Sequence, residues 1–197
     1  HNNIIKKLLI TDDNTKIISL SDLEIRIWEL STCKSLHEIS STSIFQNYLT
    51  IAYDKNSENL VFSQGKDIFV YDIATFKKIQ HIQDAHNGDI KAVIVTPKGI
   101  MISGSEDGSV AFWETNTRKL LQRLDGIHKG SINALLCDHD GKYVFSASSD
   151  GSIGVIELEQ MVLKYREKSL QAESIKFMTL TPDGQYLVTF SQRNHIG

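Results

Sequence analysis

Short apolar runs separated by turn-forming residues recur about every ten positions along this chain. In one stretch, the runs Ile90–Val95, Ile100–Ser105, 109–114 and Leu120–Leu124 are separated by Thr-Pro-Lys-Gly, Glu-Asp-Gly and polar residues. Runs of five or six residues bounded by Gly, Pro and Asp are typical of β-strands joined by tight turns. Near the end, 174–180 and 185–191 flank Thr-Pro-Asp-Gly in the same way. The pattern predicts an all-β chain.

The strands differ in how much of their surface they bury. The first strand of a group, as in Ile90–Val95 and Ile132–Cys137, is apolar at nearly every position, whereas 119–124 and 163–168 alternate with charged residues. A strand that is apolar on both faces is buried on both sides, and an alternating strand has one face in water. The pattern therefore predicts four-stranded sheets with an inner first strand and an outer fourth strand.

The groups repeat with a constant period. His86 and His128, which begin two closely similar segments, are 42 residues apart. Two further markers keep the same phase, an apolar residue followed by an acid and a Thr-x-Lys triplet. The first recurs at Trp28-Glu29, Tyr71-Asp72, Trp113-Glu114 and Ile156-Glu157, with spacings of 43, 42 and 43. Four strands in 40–45 residues is the size of one propeller blade.

On these residues the chain resembles the WD-repeat (Trp-Asp) β-propeller family. The repeat units are approximately 1–40, 41–84, 85–126, 127–168 and an incomplete 169–197, together about four and a half blades of one partial propeller. Family members usually close with about seven blades. The resemblance therefore implies that two or three blades are missing, and that the segment belongs to a longer polypeptide or is covered by neighbours.

Each well-formed unit repeats a His at the entry to its first strand, a Ser in the second, an Asp in the following turn and an aromatic on the third. Because the set recurs from unit to unit, we interpret it as structural and not as a catalytic triad. We expect the Asp to accept bonds from backbone amides and from the imidazole, which in turn bonds the Ser hydroxyl and, through it, the indole. The set comprises His86, Ser103 or Ser105, Asp107 and Trp113; His128, Ser146 or Ser148 and Asp150; and His1, Ser19 or Ser21, Asp22 and Trp28.

Other units depart from this pattern. Ile156 replaces the aromatic in the fourth unit, which removes the indole donor. The second unit has Gly65 at the Asp position and Ser43 or Ile44 near the His position, and Arg193 falls at the Asp position of the fifth. We expect these blades to be the most loosely held.

Composition narrows the function further. The 197 residues carry 21 Lys and Arg against 24 Asp and Glu without a basic cluster, which argues against a nucleic-acid partner. No apolar run is long enough to insert in a membrane as a helix. The two cysteines, Cys33 and Cys137, are 104 residues apart and favour a reducing compartment over a disulfide framework.

No cofactor, metal or small-molecule substrate is predicted. The one run of metal-type side chains, Cys137-Asp-His139-Asp140, coincides with a strand end and turn, and we interpret it as a structural turn. The stretch from Ser103 to Gly108 joins two strands and opens no helix, unlike a phosphate-binding loop.

The function predicted is a non-catalytic scaffold that positions protein partners in a multi-subunit assembly. The alternative is a regulatory or substrate-recruiting module of an enzyme whose catalytic domain lies elsewhere in the parent chain. In an antiparallel blade, the loops entering the first strand and those joining the second to the third lie on one edge, which the resemblance implies is the commonest docking surface. The candidate residues there are Gln64, Lys66, Asn87, Glu106, Lys129 and Ser149. The family and the reduced cysteines favour the inside of a eukaryotic cell, foremost the cytoplasm, with the nucleus and cytoskeletal or ciliary structures as alternatives.

Overall fold

The computed structural model describes residue 1 and residues 3–41, 48–168 and 173–191. Over these residues the chain forms eighteen β-strands and no helix, arranged as four four-stranded antiparallel sheets and one two-stranded sheet. The all-β fold of antiparallel blades is thereby confirmed. The contacts divide the chain into two compact units, His1–Ala85 and His86–Gly197.

The first unit holds two blades, each a meander in which consecutive strands pair. Blade 1 consists of β1 (Lys7–Ile10), β2 (Lys16–Leu20), β3 (Glu24–Glu29) and β4 (Ser35–Ser40). Blade 2 consists of β5 (Tyr48–Asp54), β6 (Asn59–Gln64), β7 (Asp67–Asp72) and β8 (Lys77–Ile82).

The second unit holds two complete meanders and one strand pair. Blade 3 consists of β9 (Ile90–Val95), β10 (Ile100–Ser105), β11 (Val110–Glu114) and β12 (Leu120–Leu124). Blade 4 consists of β13 (Ile132–Cys137), β14 (Tyr143–Ser148), β15 (Ser152–Glu157) and β16 (Val162–Lys168). Blade 5 consists of β17 (Ile175–Leu180) and β18 (Leu187–Ser191). The strand β11 begins at Val110, one residue later than predicted.

The apolar cores lie between consecutive sheets of a unit. Ile18 and Ile27 of blade 1 share one buried cluster with Ile51 and Phe62 of blade 2. In the second unit one cluster joins blades 3 and 4, and a smaller one joins blade 4 to blade 5 through Ile175 and other side chains. The first strands of consecutive blades lie side by side, as in β9 with β13 and β13 with β17. The apolar first strands are therefore buried between neighbours, as their composition predicts.

The turn between the third and fourth strands explains the repeating Thr-x-Lys triplet. In blades 1, 2 and 3 the Thr hydroxyl donates to the acid three residues earlier, at 2.8 Å between Thr75 and Asp72 and likewise from Thr32 to Glu29 and from Thr117 to Glu114. In blades 1 to 4 one residue of this turn adopts the left-handed conformation, with φ of 53° to 58°. These residues are Cys33, Phe76, Arg118 and Met161, and they keep the 43, 42, 43 spacing.

One sheet face in each unit carries exposed apolar side chains. On β1, Leu8 and Ile10 point away from blade 2 and are more than half exposed. On blade 5, Phe177 and Phe190 are register partners and are 59% and 64% exposed. The opposite face of blade 5 packs on blade 4 through Met178.

Candidate functional site: the entry rim

The entry rim is the edge of a blade formed by the loop that enters its first strand and the loop that joins its second and third strands. In blade 3 a chain of hydrogen bonds beneath this rim runs from an indole to a carboxylate. Trp113 Nε1 donates to Ser103 Oγ at 2.9 Å, and Ser103 Oγ lies 2.7 Å from His86 Nε2. On the other side of the ring, His86 Nδ1 lies 2.8 Å from Ser109 Oγ, which donates to Asp107 Oδ1 at 2.6 Å.

The carboxylate end fixes one bond of the ring. Because Asp107 only accepts, the Ser109 hydroxyl donates to it and accepts from His86 Nδ1–H. Burial lowers the pKa of His86 to about 4 and outweighs the attraction of the Asp107 charge, so the ring is neutral near pH 7. A neutral ring protonated at Nδ1 accepts at Nε2, and the Ser103 hydroxyl therefore donates to Nε2.

The expected direct bond between the Asp and the imidazole is not formed. His86 Nδ1 and Asp107 Oδ1 are 3.7 Å apart, and Ser109, which the sequence reasoning did not single out, fills the gap. Ser109 is buried and lies at the end of the turn, where its hydroxyl reaches both groups. Of the two serines that the sequence offered on the second strand, Ser103 belongs to the network. Ser105 instead accepts a hydrogen bond from the amide of Asp107 at 3.2 Å.

Asp107 joins the two loops of the rim. Its carboxylate accepts the amides of Ser109 at 3.0 Å and Asn87 at 2.9 Å, and Arg123 of β12 approaches within 2.8 Å. Partial burial works to raise the pKa of Asp107, but the bonds from Ser109 and Asn87 prevail and hold it well below the usual range. The carboxylate therefore remains charged and ties the entry loop, the turn and the outer strand together.

Blade 4 repeats the network without the indole. His128 lies between Ser146 Oγ at 2.7 Å and Ser152 Oγ at 2.6 Å, and Ser152 donates to Asp150. Burial also lowers the pKa of His128 to about 4. With Ile156 on the third strand, Ser146 donates to the ring but receives no indole bond.

Blade 1 brings together His1, Ser19 and Trp28, but not Asp22. Trp28 Nε1 donates to Ser19 Oγ at 2.8 Å, and the same hydroxyl bonds His1 Nε2. The carboxylate near the ring belongs to Glu24, whose Oε1 lies 2.9 Å from His1 Nδ1, while Asp22 pairs with Lys6 at the surface. The assignment of Asp22 is thus corrected to Glu24.

The length of the turn explains this correction. Leu20 pairs with Ile25 in blade 1, and Gly104 pairs with Val110 at the equivalent place in blade 3. The intervening turn has four residues in blade 1 and five in blade 3. Glu24 therefore occupies the position of Ser109, and its longer side chain reaches the ring without a bridging hydroxyl.

Blade 2 replaces the polar network with aromatic packing. Phe62 pairs with Phe69 where Ser103 pairs with Ala111 in blade 3, and the two phenyl rings stack with centroids 5.3 Å apart. The carboxylate of this blade comes from Asp67, not from the Gly65 position, and it binds His81 Nε2 at 2.7 Å. The positions considered for its His, Ser43 and Ile44, lie outside the described residues, as does Arg193 of the fifth unit.

A polar position on the fourth strand also belongs to the networks and was missed in the sequence. On the third strand, one residue faces the network position of the second strand, and each of these fourth-strand residues pairs with that residue. They are Glu38, His81, Arg123 and Arg166. The last three contact the rim acid of their own blade, whereas Glu38 reaches Glu24 only through Arg26, which pairs with both acids. Their spacings of 43, 42 and 43 match the other markers, so the repeat marks the position, but the residue type there changes from blade to blade.

The rim candidates of the second unit lie around these networks. The amides of Asn87 and Lys129 donate to Asp107 and Asp150, at 2.9 and 2.7 Å, while their side chains are exposed. Glu106 is exposed and lies 2.9 Å from Lys91 Nζ, and Ser149 is half-buried. The backbone here is fixed while the side chains remain accessible.

The two candidates in the first unit differ from each other. Gln64 is half-buried and donates to Ser41 Oγ at 2.6 Å. Lys66 is exposed at the tip of the turn, and its carbonyl accepts the amide of Ala85 at 3.1 Å.

The stretch from Cys137 to Asp140 forms a turn. Asp138 Oδ1 accepts the amides of Lys142 and Tyr143 at 2.7 and 3.0 Å. Burial, followed by the charge of Asp138, raises the pKa of the Cys137 thiol to about 12. This thiol therefore stays protonated, and the Asp138 oxygen serves the backbone. Among the described residues, no helix is long and apolar enough to cross a membrane.

Comparison with known proteins agrees with this geometry. Residues 26–196 match the family model described as eukaryotic translation initiation factor eIF2A. The serine-threonine kinase receptor-associated proteins of Gallus gallus and Mus musculus are 27% and 25% identical over 143 residues, which is 72% of this chain and 39% of theirs. A kinesin-like protein of Homo sapiens is 23% identical over 66% of this chain and 8% of its own length.

The chain thus spans about two fifths of the length of the first of these relatives. The family match extends over most of the chain, from β3 of blade 1 into the last repeat unit. With the repeated blades and their networks, it establishes that this WD-repeat propeller chain belongs to the eukaryotic translation initiation factor eIF2A family.

Proposed function

We propose that the protein is a non-catalytic scaffold that holds protein partners at its entry rim within a larger assembly. The observation that carries this proposal is the role of Asp107 and Asp150. Each carboxylate fixes two rim loops through backbone amides and leaves the neighbouring side chains exposed. A loop that is already ordered loses little conformational entropy when it binds, which favours recognition by a rigid surface.

The polar residues that could suggest catalysis are engaged in structure. His86 and His128 are 2% and 3% exposed, and each ring nitrogen is bonded to a serine hydroxyl. A serine that donates to a buried imidazole from inside a sheet has no open approach for a substrate. This supports a role for these side chains in holding the loops.

The names of the relatives support association with other proteins. One group is named for its association with a serine-threonine kinase receptor, and the family model carries the name of a translation initiation factor. The partners in these names differ, so we infer only that the partners are proteins. The family name makes the machinery of translation initiation the first assembly to search, in the cytoplasm of a eukaryotic cell.

The experiment is chemical crosslinking of the tagged chain in cell extract, followed by mapping of the crosslinked lysines. We expect partner proteins to crosslink at Lys66 and Lys129 of the entry rim more than at the exposed Lys77 of the outer strand β8. In a second experiment, the assemblies captured by the wild-type chain and by a His86→Ala variant are compared for turnover in every enzymatic reaction that the captured assembly catalyses. Crosslinks concentrated at Lys77, or turnover lost in a folded His86→Ala variant, would contradict the scaffold.

A second function is favoured by one comparison. The kinesin-like relative matches this chain over only 8% of its length, so a similar segment lies within a much longer protein. By analogy, this chain would be a regulatory or substrate-recruiting module joined to an enzyme. Sequencing the full parent transcript separates the two functions, because only the second requires a catalytic domain in the same polypeptide.

A further inference from the structure

Blades 3 and 4 share the His-Ser-Asp part of the buried network, but the charged residues around it differ in sign. At three equivalent positions, blade 3 has Asn87, Glu106 and Asp125, and blade 4 has Lys129, Ser149 and Lys168. Counted over these three positions and the shared Asp and Arg, blade 3 has three acids and one base, whereas blade 4 has one acid and three bases. Asp89 and Lys91 of blade 3, which correspond to the uncharged Ser131 and Asn133 of blade 4, add one charge of each sign and leave this difference unchanged. Because the backbone is the same, the difference lies in the side chains alone.

The arginine beneath each rim is paired differently as a result. In blade 3, Arg123 NH2 lies 2.8 Å from Asp107 and its Nε lies 2.7 Å from Asp125, so carboxylates occupy two edges of the guanidinium. In blade 4, Arg166 NH2 lies 3.7 Å from Asp150. The position of the second carboxylate is taken by Lys168, which cannot pair with it.

Three cationic residues of blade 4 lie at the same edge of the sheet as Asp150, and of their side chains Arg166 approaches this carboxylate, at 3.7 Å. Arg166 and Lys168 are two residues apart on β16 and lie on the same face of the strand, while Glu167 lies on the opposite face. The amide of Lys129 bonds Asp150, which places this residue at the same edge. Asp150 also accepts the amide and hydroxyl of Ser152, so its oxygens are used by the network.

We propose that Arg166, Lys168 and Lys129 form a site for an acidic segment of a partner protein, an inference that rests on the scaffold function proposed above. Arginine binds a carboxylate through two parallel N–H groups, and neighbouring lysines favour further acidic side chains. A protein segment is favoured over nucleic acid because the chain has a net charge of −3 and the cationic area is confined to one blade. In blade 3 the equivalent arginine, Arg123, is already paired with Asp125, so the equivalent site is occupied by a carboxylate of the chain itself.

The test measures binding of a fluorescein-labelled decaglutamate peptide to the 197-residue chain by anisotropy. The triple variant K129N/S149E/K168D gives blade 4 the rim of blade 3 and leaves Arg166 and the network in place. We expect it to bind the peptide at least about tenfold more weakly at low salt, with an unchanged denaturation midpoint.

A matched control separates this site from net charge. The K77D/K78D variant changes the charge of the chain by the same four units on β8 of the first compact unit, outside the proposed site, and should bind within about twofold of wild type. The reciprocal variant N87K/E106S/D125K gives blade 3 the rim of blade 4 and should raise the stoichiometry from one peptide to two.

Three results would overturn the proposal. They are an absence of peptide binding to the wild-type chain, an equal loss in K77D/K78D, and tighter binding of a single-stranded RNA decamer that the triple variant abolishes. The crosslinking experiment keeps the two proposals distinct. If the triple variant still captures every partner protein, the acidic-segment site fails and the scaffold stands, whereas a wild-type chain that crosslinks to no protein removes the scaffold itself.

Discussion

The imidazole of His86 and the carboxylate of Asp107 lie 3.7 Å apart, and the hydroxyl of Ser109 bridges them with one hydrogen bond to each. The same spacing of 3.7 Å separates His128 from Asp150 in the next blade, again with a serine between. The bridge sets the tautomer of each ring and connects the buried part of the blade to its surface loops. The stability of the rim loops therefore depends on Ser109 and Ser152, although serine at the end of a turn is usually interpreted only as a turn-forming residue.

The first prediction concerns the bridge. Ser109→Ala should lower the free energy of unfolding by about 1–2 kcal/mol, because it leaves His86 Nδ1–H buried without an acceptor. Urea denaturation at pH 7.5 measures this. The exposed Ser35→Ala variant serves as the control and should change stability by less than about 0.5 kcal/mol. A neutral Ser109→Ala would mean that the ring bonds Asp107 directly.

The second prediction separates the two acids assigned in the sequence. Asp107→Ala should destabilise the protein by about 1–3 kcal/mol, since two loop amides and Ser109 lose their acceptor. Asp22→Ala should cost less than about 0.5 kcal/mol, because its contact is a surface ion pair with Lys6. Chemical denaturation measures the free energy of unfolding of both variants. An equal loss in the two would mean that Asp22 takes part in the blade 1 network after all.

The third prediction is a loss of stability in mild acid. The pKa values of His86 and His128 are lowered from 6.5 to about 4, so between these pH values the unfolded chain binds protons that the folded chain does not. The contribution of the two neutral histidines to the free energy of unfolding is therefore fully present above pH 6.5. It decreases as the pH falls toward 4, by up to about 1.4 kcal/mol per pH unit for each histidine.

Urea unfolding at pH 7.5, 6.0 and 5.0 tests this loss. His128→Gln should reduce stability at pH 7.5 but give a shallower dependence on pH, because one of the two histidines is gone. Below pH 4 a further loss should follow as Asp107 and Asp150, whose pKa values are lowered, become protonated. Constant stability from pH 7.5 to 5.0 would contradict buried neutral rings.

The fourth prediction compares two left-handed residues. Cys33 and Phe76 both have φ of 56°, but Cys33 is exposed while Phe76 packs on the core and stacks on His37. Cys33→Gly should be neutral or stabilise by up to about 1 kcal/mol, since relief of backbone strain competes with the entropy of glycine. Phe76→Gly should cost at least about 2 kcal/mol through lost packing. Thermal unfolding of both variants measures the difference, and a clearly destabilised Cys33→Gly would show that its turn has no strain to relieve.

Much of the fold follows from local chemistry. The strands β9 and β10 coincide with the apolar runs that predict them, and Thr96-Pro97-Lys98-Gly99 between them forms the predicted turn, closed by the bond from the Gly99 amide to the Thr96 carbonyl. The Thr-x-Lys triplets keep their phase in blades 1 to 3 because each of these blades closes its last turn with the same bond from Thr to the preceding acid. The network members His86 and Trp113 could be assigned from their recurrence alone, whereas the choice of Ser103 over Ser105 required the structure.

The remaining members depend on which residues face each other across strands. Glu24 replaces Asp22 because the turn of blade 1 is one residue shorter while the strand pairing is the same, and Phe62 meets Phe69 at a position where the second strand is polar in the other complete blades. Arg123 reaches Asp107 from a strand sixteen residues later. No local pattern distinguishes these contacts from ordinary exposed charges.

By itself, the sequence determined the strands, the turns and the repeat, since these depend on the alternation of side chains and on residues that favour tight turns. Only the tertiary structure decided which carboxylate meets each imidazole, that Ser109 and Ser152 stand between them, and that Arg166 lies farther from its acid than Arg123. Hydrogen bonds and ion pairs change over differences of about 1 Å, whereas a periodic pattern specifies position only to the nearest residue.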